Sequence, residues 1–291
     1  MEQIGLIGLG LVGGALAERL LAAGYGVVGY DIDESRRGEL EKAGGTAVVS
    51  SREVGERCRR VFLALMTSDI VRSVVEGPDG LMEAAIPPAF IVDTSTGQPD
   101  ESVAMAARLA ARGTEYLDAT ISGSSRQIRD GEGVFMVGAS PEGYEVCADL
   151  FRAVTRTAVH VGPSGSGAKA KLATNLILGL NRLVLCEGLV FAEKIGLDPS
   201  AFLSLVRKTP AYSAAVDAKG DKLLRRDYTP QSKLAQHLKD LRMVLGLADK
   251  YGQELPLARR HEEILDASVK RGDGEMDSCI VVEEIRRRIR T

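Results

Sequence analysis

The sequence predicts an α/β domain followed by an all-α domain. Up to about residue 162, short apolar runs that are typical of strands alternate with longer runs that are typical of helices. This alternation predicts parallel βαβ units with helices on both faces of one sheet. Beyond that point the helix-like stretches are residues 168–193, 199–207, 230–252 and 256–271, with no strand-like run between them. We therefore expect an α/β domain over residues 1–163 and a helical domain over residues 164–291.

The elements of the first domain follow one another in a regular order. The strand-like runs are EQIGLIG, YGVVGYD, RRVFLALM, AFIVDTST, EYLDATISG, GVFMVGA and AVHVG. The helix-like runs are ALAERLLAAG, ESRRGELEKAGG, SDIVRSVVEG and ESVAMAARLAARG. The first of these carries leucines on one side and reaches Gly24, a residue type that commonly stops a helix. Because strands alternate with helices, we expect neighbouring strands to run parallel.

Composition and charge narrow the class of protein. Hydrophobic residues make up 45% and charged residues 26%, which is the balance of an ordinary soluble globular chain. The formal net charge is -3 with no basic block, so nothing favours nucleic acid or an anionic membrane as a partner. The apolar segment LATNLILGLNRLVLCEGLVFA is interrupted by polar residues, so we expect a long buried helix and no membrane span.

Cysteines and histidines give no metal or disulfide pattern. The residues are Cys58, Cys147, Cys186, Cys279, His160, His237 and His261. No two cysteines form a C-x-x-C pair, and four in a chain of this length are not a disulfide framework. We therefore expect a reducing cytoplasm and no metal site, and the N-terminal MEQIGLIGLG lacks the features of a signal peptide.

A G-x-G-x-x-G pattern lies where the first strand-like run gives way to a helix-like run. Its glycines are Gly8, Gly10 and Gly13, with Leu11 and Val12 at the start of the helix. In this context the first glycine permits a tight turn, the second lets the backbone approach a pyrophosphate, and the third lets helix and strand pack closely. The helix N-terminus offers unpaired N–H groups to the phosphates. The pattern predicts a dinucleotide site in a Rossmann-type domain, the alternative being an ordinary glycine-rich turn.

An acidic residue follows at the distance that a dinucleotide site requires. Asp31 closes the second strand-like run, 18 residues beyond Gly13. A carboxylate there accepts a hydrogen bond from a ribose 2′-hydroxyl and repels a 2′-phosphate. The expected cofactor is therefore NAD, with NADP also possible because Arg36 and Arg37 are near enough in sequence to weaken the preference.

The segment GPSGSGAKAKLATN, at the expected domain boundary, raises the question of whether a lysine does chemistry. An enzyme that oxidises an alcohol needs a proton acceptor, and a lysine can serve when burial or neighbouring groups lower its pKa. Lys169 and Lys171 are two residues apart and point to nearly opposite sides of a helix, whereas Asn175 shares a face with Lys171. Lys171 is thus the better candidate, although most helical lysines are merely solvated.

A second constellation, DATISGSS, ends another strand-like run. Open α/β sheets bind ligands outside the carboxyl ends of their strands. Ser122, Gly123 and Ser124 there offer hydroxyl and N–H groups to a substrate carboxylate. An ordinary turn is the alternative.

Taken together, these segments resemble the β-hydroxyacid dehydrogenases, the group that includes 3-hydroxyisobutyrate dehydrogenase and tartronate semialdehyde reductase. GLIGLGLVGGALAERL resembles their nucleotide motif, DTSTGQP their D-x-S-T segment, and DATISGSSRQIRDGEGVFMVGA their D-A-P-V-S-G-G segment. GPSGSGAKAKLATN resembles G-x-x-G-x-G-x-x-x-K-x-x-N-N, LKDLRMVLGLADKYG resembles K-D-L-x-L-A-x-x-x-A, and GDGEMDSC resembles G-x-G-D-x-D-x-S. The resemblance runs nearly end to end.

The resemblance assigns roles to particular residues. It implies that Lys171 is catalytic and that Asn175 helps to hold the substrate. Substrate-binding positions are then Ser122, Gly123, Ser124 and Lys239, and further cofactor positions are Leu65, Met66, Ser95 and Thr96.

Departures from the family pattern fall on the substrate side. They are Thr120 for proline, Ser124 for the second glycine, Thr174 for the first asparagine, and Gln127 and Ile128 for Gly-Ala. Arg126, Gln127 and Arg129 suggest the hypothesis that the substrate is more polar or more acidic than 3-hydroxyisobutyrate.

The resemblance implies an NAD-dependent oxidoreductase that transfers a hydride between a nicotinamide cofactor and a small 3-hydroxy acid. Alternatives are a tartronate semialdehyde reductase, an L-threonate-type dehydrogenase, and a catalytically silent NAD(P)-binding module. Oxidative decarboxylation of 6-phosphogluconate is disfavoured because the helical part has only about 125 residues, and imine reduction because such relatives generally lack the lysine. The resemblance also suggests a homodimer or homotetramer, with the long helix packed against a second subunit.

Overall fold

The computed structural model describes residues 1–288 of the 291-residue chain. The chain divides into two compact units, Met1–Lys171 and Leu172–Thr291. The expected order, an α/β domain followed by a helical domain, is confirmed.

The first unit contains one sheet of eight strands. They are β1 (Gln3–Ile7), β2 (Gly26–Tyr30), β3 (Thr46–Ala47), β4 (Arg60–Leu63), β5 (Phe90–Asp93), β6 (Glu115–Ser122), β7 (Val134–Gly138) and β8 (Thr157–Gly162). Their order across the sheet is β3-β2-β1-β4-β5-β6-β7-β8. The chain order reverses at β1, between β2 and β4, and ligands of such sheets bind at that reversal, outside the carboxyl ends of the strands.

Helices connect the strands of this unit. They are α1 (Leu11–Ala22), α2 (Glu34–Lys42), α3 (Ser51–Arg57), α4 (Ser68–Glu76), α5 (Pro99–Ala110), α6 (Ser125–Arg129) and α7 (Pro141–Val154). Two apolar clusters pack against the sheet, one including Leu16 and Phe135 and the other including Val71 and Leu109. The central strands are buried along almost their whole length because both faces are covered.

One strand pair departs from the expected parallel arrangement. β6 and β7 are antiparallel, with Asp118 opposite Gly138 and Ser122 opposite Val134. Residues 123–133 connect them and contain only the five-residue helix α6. That connection is shorter than the dozen or more residues of a parallel crossover, so the chain returns beside β6 in the opposite direction.

The second unit is helical. The long helix α8 (Ser166–Lys194) begins before it, and α9 (Pro199–Val206), α10 (Ala214–Arg225), α11 (Leu234–Lys250), α12 (Pro256–Lys270) and α13 (Val281–Arg287) follow. The sequence pattern did not predict α10 and α13. Over the described residues 172–288, β pairing is limited to the single bridge between Lys233 and Asp277.

Helix α8 is long and apolar, with a mean hydropathy of 1.5 over its most apolar window. Among residues 1–288 it alone has the length and composition to cross a membrane, a test that the core helix of a soluble protein also passes. A long buried helix was expected, and half of that window is buried within the protein.

Candidate active site

The glycine-rich turn between β1 and α1 has the geometry that a dinucleotide requires. Gly8 has a φ of +88°, and a Cβ there would lie 2.4 Å from the carbonyl oxygen of Ala64. A Cβ on Gly13 would lie 1.8 Å from the carbonyl oxygen of Gly8, so only glycine lets the helix pack this closely. Gly10 precedes the first turn of α1 without a side-chain cap, which leaves the first N–H groups for a ligand.

Leu11 and Val12 form the start of α1, Leu11 exposed and Val12 half-buried. They follow Gly10 at the carboxyl edge of the sheet, where the phosphate groups of a dinucleotide approach a helix N-terminus. The structure therefore places these two residues at the turn that the sequence pattern indicates.

Asp31 is buried at the end of β2, next to this turn. Its Oδ2 accepts a hydrogen bond from the N–H of Leu9 at 2.7 Å, and its Oδ1 accepts one from the N–H of Asp33 at 2.9 Å. Arg36 Nη1 lies 3.5 Å from Oδ2, and Arg37 donates to the Asp31 carbonyl oxygen at 2.6 Å. The carboxylate both stabilises the glycine-rich turn and remains an acceptor for a ribose hydroxyl, while Arg36 partly offsets its charge.

The carboxyl ends of β4 and β5 carry the remaining predicted cofactor residues. The N–H of Leu65 donates to Ser95 Oγ at 2.9 Å, which joins the two loops. Met66 is exposed and Thr96 is half-buried beside them. These residues line the same edge of the sheet as the glycine-rich turn.

A buried pair that sequence reasoning missed supports this edge. Asp93 Oδ1 accepts from the N–H of Ser95 at 2.8 Å, and Tyr116 donates its hydroxyl to Asp93 Oδ2 at 2.5 Å. Burial raises the pKa of the Asp93 carboxyl. A cavity of about 170 Å³ adjoins the pair between α4 and α5. The D-x-S-T pattern contained Asp93, but only the fold brings Tyr116 to it.

These groups together fit a bound dinucleotide. The open helix N-terminus suits a pyrophosphate, the buried carboxylate suits a ribose, and the Ser95 loop lies at the adjoining strand ends. Among residues 1–288, no three or more His, Cys, Asp or Glu side chains are grouped to hold a metal ion.

Lys171 lies in the second turn of α8 and is turned towards the end of β6. Its Nζ donates to the carbonyl oxygen of Ile121 at 2.7 Å, and the side chain is partly buried. Lys169 is exposed. The two lysines therefore differ as the helical spacing predicts, and Lys171 lies next to the candidate carboxylate-binding residues Ser122 and Gly123.

Strand β6 also contacts the first turn of α8 through two side chains. Asp118 accepts from the N–H groups of Gly165 and Ala168, both at 2.7 Å. Thr120, which stands where the family has proline, donates to the carbonyl oxygen of Gly167 at 2.9 Å. Burial, as the largest cause, raises the pKa of Asp118 to about 6. Sequence reasoning singled out Thr120 as a departure but missed Asp118.

The segment after β6 explains two more departures. Ser124 caps α6 by accepting from the N–H of Gln127, and the Gln127 side chain accepts from the N–H of Ser124 at 2.9 Å. These two residues therefore act together as a capping box. Ile128 is fully buried beneath them. Ser122 is half-buried and Gly123, with a φ of +140°, is exposed.

The two arginines of this segment lie on the surface. Arg129 pairs with Glu18 at 2.9 Å, and Arg126 lies 3.8 Å from Asp130. Arg129 is thus engaged with α1, whereas Arg126 is the more exposed of the two.

In the second unit, two predicted residues share one carboxylate. Asn175 is buried on α8 and donates its Nδ2 to Asp240 Oδ2 at 3.2 Å. Lys239 Nζ lies 3.7 Å from Asp240 Oδ1, and Gln236 donates to the same oxygen at 3.2 Å. Thr174, beside Asn175, is exposed. Asp240 is part of the K-D-L pattern, but the sequence analysis did not single it out.

Comparison with known proteins identifies both parts of the chain. Residues 3–162 match the NAD binding domain of 6-phosphogluconate dehydrogenase, and residues 165–285 match the NAD-binding family of NADP-dependent 3-hydroxyisobutyrate dehydrogenase. These two matches cover nearly the whole described chain.

Individual relatives agree with these matches over their full length. The chain is 32% identical to 3-hydroxyisobutyrate dehydrogenase-like 2 of Arabidopsis thaliana, covering 98% of this chain and 94% of the relative. It is 30% identical to 2-(hydroxymethyl)glutarate dehydrogenase of Eubacterium barkeri, covering 97% and 94%. The fold is similar to that of 3-hydroxyisobutyrate dehydrogenase from Salmonella typhimurium, with a TM-score of 0.89, 24% identity, and coverage of 97% and 99%. The chain therefore belongs to the β-hydroxyacid dehydrogenase family of NAD(P)-dependent oxidoreductases.

Proposed function

We propose that the protein transfers a hydride between a small 3-hydroxy acid and NAD. The observation that carries this proposal is the position of Lys171, whose Nζ lies at the carboxyl end of β6 beside Ser122 and Gly123. A proton-exchanging group and a carboxylate-binding segment are thereby adjacent, as oxidation of a hydroxy acid requires. Family membership supports the same reaction class.

Each residue has a distinct task in this mechanism. The nicotinamide cofactor, when bound, supplies the hydride acceptor. Lys171 Nζ takes the hydroxyl proton during oxidation and returns it during reduction. Ser122 and Gly123 bind the substrate carboxylate. By resemblance to the family, Asn175 and Lys239 also hold the substrate.

A spectrophotometric panel at 340 nm tests the proposal. Purified protein with NAD or NADP is given 3-hydroxyisobutyrate, D-glycerate, L-threonate, 3-hydroxypropionate, L-serine and 4-hydroxybutyrate, and the matching aldehydes are run with reduced cofactor. We expect turnover of a 3-hydroxy acid with NAD. Turnover of D-glycerate or L-threonate alone would instead favour the tartronate semialdehyde reductase or the L-threonate-type dehydrogenase. Tight NAD binding without turnover of any compound would favour a silent module.

A more acidic substrate is the second candidate, and two observations favour it. Arg126 is exposed in the segment that follows the carboxylate-binding residues. One relative is named for 2-(hydroxymethyl)glutarate, a dicarboxylate. Adding that compound to the panel, with Arg126→Ala and Arg129→Ala as variants, tests the idea, and an unchanged substrate preference in both variants would contradict it.

We also propose that two copies associate through α8 and that the protein works in the cytoplasm. Three large apolar side chains, Ile177, Val184 and Phe191, lie seven residues apart on α8 and are 62%, 66% and 64% exposed. A seven-residue spacing places them along one side of the helix, which we call the α8 stripe. The four cysteines are buried free thiols, which supports a reducing compartment.

A further inference from the structure

We propose that Asp118 is a positioning residue for Lys171, acting through the first turn of α8. The inference rests on the proposed catalytic role of Lys171. Asp118 binds the backbone at the start of α8, the helix that carries Lys171. Its effect is exerted on the helix that carries the lysine.

Both carboxylate oxygens of Asp118 bind the start of this helix. Oδ1 accepts from the N–H of Gly165, and Oδ2 accepts from the N–H of Ala168, each at 2.7 Å. A helix leaves its first N–H groups without partners in the helix itself, so Asp118 caps α8 from a neighbouring strand. The side chain is only 2% exposed, which excludes water from competing for these two N–H groups.

The approach of helix and strand is closer than any side chain on the helix would allow. A Cβ on Gly167 would lie 2.0 Å from the carbonyl oxygen of Asp118. On the neighbouring strand β7, a Cβ on Gly138 would lie 2.3 Å from Asp118 Oδ1. Thr120 adds a third bond by donating to the Gly167 carbonyl oxygen at 2.9 Å. Two residues of β6 therefore fix the position of this turn along the helix axis and its rotation about that axis.

The same strand then accepts from the lysine. Lys171 comes three residues after Ala168, and its Nζ donates to Ile121 of β6 at 2.7 Å. A helix rises about 1.5 Å per residue, so a shift of a single residue step would break a bond of that length. The contacts of Asp118 and Thr120 thus determine whether Lys171 Nζ remains at the end of β6.

The electrostatics of the position favour a charged Asp118 at neutral pH and a protonated one in acid. Burial raises its pKa to about 6, although the N–H groups of Ala168 and Gly165 act in the opposite direction. The Asp93 carboxyl on β5 repels the Asp118 carboxylate. The Asp118 carboxylate in turn helps to raise the pKa of the Tyr116 phenol on β6. The charged residues in the first two turns of α8 are Lys169 and Lys171. Because burial raises the pKa from 3.8 to about 6, protonation of Asp118 between these values stabilises the folded state relative to the unfolded chain, and the turn should stay in place in mild acid.

Asp118→Asn tests the inference with a readout that does not depend on substrate identity. Limited labelling with trinitrobenzenesulfonate, followed by mass spectrometry, compares Lys171 with the exposed Lys169 in the same molecule. We expect the ratio of Lys171 to Lys169 labelling to rise about threefold to tenfold, because the bond to Ile121 is lost in part of the population. Asp149→Asn is the matched control, since Asp149 is an ion-paired carboxylate of the same unit that contacts Arg60 and Tyr25.

Kinetics supply the second readout. Reduction of methylmalonate semialdehyde, the aldehyde that corresponds to 3-hydroxyisobutyrate, is measured at neutral pH, because protonated Lys171 is the proton donor in that direction. In Asp118→Asn we expect kcat to fall about tenfold to a hundredfold, the usual effect of misplacing a catalytic group by about 1 Å, with the KM for NADH nearly unchanged.

The outcomes separate this inference from the proposed function. An unchanged labelling ratio in a folded Asp118→Asn overturns the inference, whatever the kinetics show. If Asp118→Asn fails to fold by circular dichroism, Thr120→Val takes its place, with the same direction of change expected and an unchanged ratio again decisive against the inference. If the wild type reduces no aldehyde, the proposed function fails and the labelling ratio alone decides the role of Asp118.

Discussion

Lys169 and Lys171 are chemically identical residues that differ in what their ammonium groups contact. Lys171 Nζ donates to Ile121, whereas Lys169 is exposed. Helical spacing was enough to predict this difference, because residues two apart on a helix face opposite sides. Spacing could not show that the Lys171 side faces β6, since that depends on a strand about 50 residues earlier.

Replacing Lys171 should remove the proton-exchanging group. For Lys171→Ala we expect turnover to fall about a hundredfold to ten-thousandfold, the usual effect of losing a general acid or base. The measurement is kcat at 340 nm with the best substrate of the panel. Lys169→Ala is the control and should retain wild-type turnover. Near-normal turnover in Lys171→Ala would refute the mechanism.

Arg36 and Asp31 should have opposite effects on the preference for NAD over NADP. Arg36 Nη1 lies 3.5 Å from the Asp31 carboxylate and would lie 3.1 Å from a Cβ on Gly10, so its guanidinium is beside the turn that binds the cofactor. For Arg36→Ala we expect kcat/KM with NADP to fall about tenfold while that with NAD changes little, since a phosphate loses a charged partner. Arg52→Ala, which removes a surface ion pair with Glu56, is the control. An equal change with both cofactors would show that Arg36 does not discriminate between them.

Ser124 and Gln127 have a role that comparison with the family motif did not reveal. Both differ from the family pattern and were therefore interpreted as changes in the substrate pocket. The structure shows that they cap α6 together. The spacing S-x-x-Q is itself a known capping signature, so the sequence also contained the information for this structural role.

At the scale of elements, the helix that carries Lys171 also carries the α8 stripe. Three large apolar side chains exposed in one row are uncommon on the surface of a monomer. Burial of this row against its copy would be favourable by the hydrophobic effect. The stripe therefore supports the proposed association of two copies.

Phe191→Glu places a charge in the α8 stripe and should prevent association. We expect the variant to sediment as a monomer at concentrations at which the wild type sediments as a dimer or tetramer. Leu257→Lys, which changes an exposed apolar residue of α12, is the control and should keep the wild-type assembly. A monomeric wild type at micromolar concentration would contradict the proposed interface.

Elements whose sequences have a strong hydrophobic periodicity were predicted, whereas elements with a weak periodicity were not. Seven of the eight strands of the first unit and α8, α9, α11 and α12 match the expected runs closely, whereas the two-residue strand β3 and the helices α3, α6 and α7 were not predicted. Helices α10 and α13 were missed because α10 begins after a loop without a clear signal and α13 is only seven residues long. The antiparallel β7 was missed because alternation of runs indicates strands but not their direction, which the short connection decides.

On the scale of the whole molecule, the order of an α/β unit and a helical unit followed from composition and periodicity alone. Contacts inside each unit could not be predicted from composition and periodicity, because they join residues far apart in sequence. Asp118 with Ala168 in the first unit and Asn175 with Asp240 in the second are 50 and 65 residues apart. Of these four residues, the motif resemblance assigned a role only to Asn175, without explaining why it is needed.

Titration of His261, in the second unit, should make the stability of the protein depend on pH. Burial, with a smaller contribution from nearby Arg182, lowers the pKa of His261 from 6.5 to about 4. Between these values the unfolded chain takes up a proton that the folded chain does not, so stability falls as the pH falls from 6.5 to about 4 and levels below that.

Urea unfolding at pH 7 and pH 5 measures this dependence. We expect the midpoint of the wild type to drop between the two, and His261→Leu to drop less because the titrating group is gone. His160→Gln is the control, since His160 is a half-buried histidine of the other unit, and its midpoint should follow the wild type. An equal drop in His261→Leu and the wild type would show that other groups set the acid sensitivity.

The arrangement around β6 has a consequence for how new activities arise on this scaffold. The groups that hold the lysine lie within the strand, at Asp118 and Thr120, whereas Arg126 and Arg129 lie beyond its end, in the capped helix α6. Variation in the two segments is therefore largely independent. Libraries randomised at residues 126 and 129 should yield enzymes with altered selectivity that keep their proton transfer, so that selection for a new hydroxy acid would not first have to rebuild the catalyst.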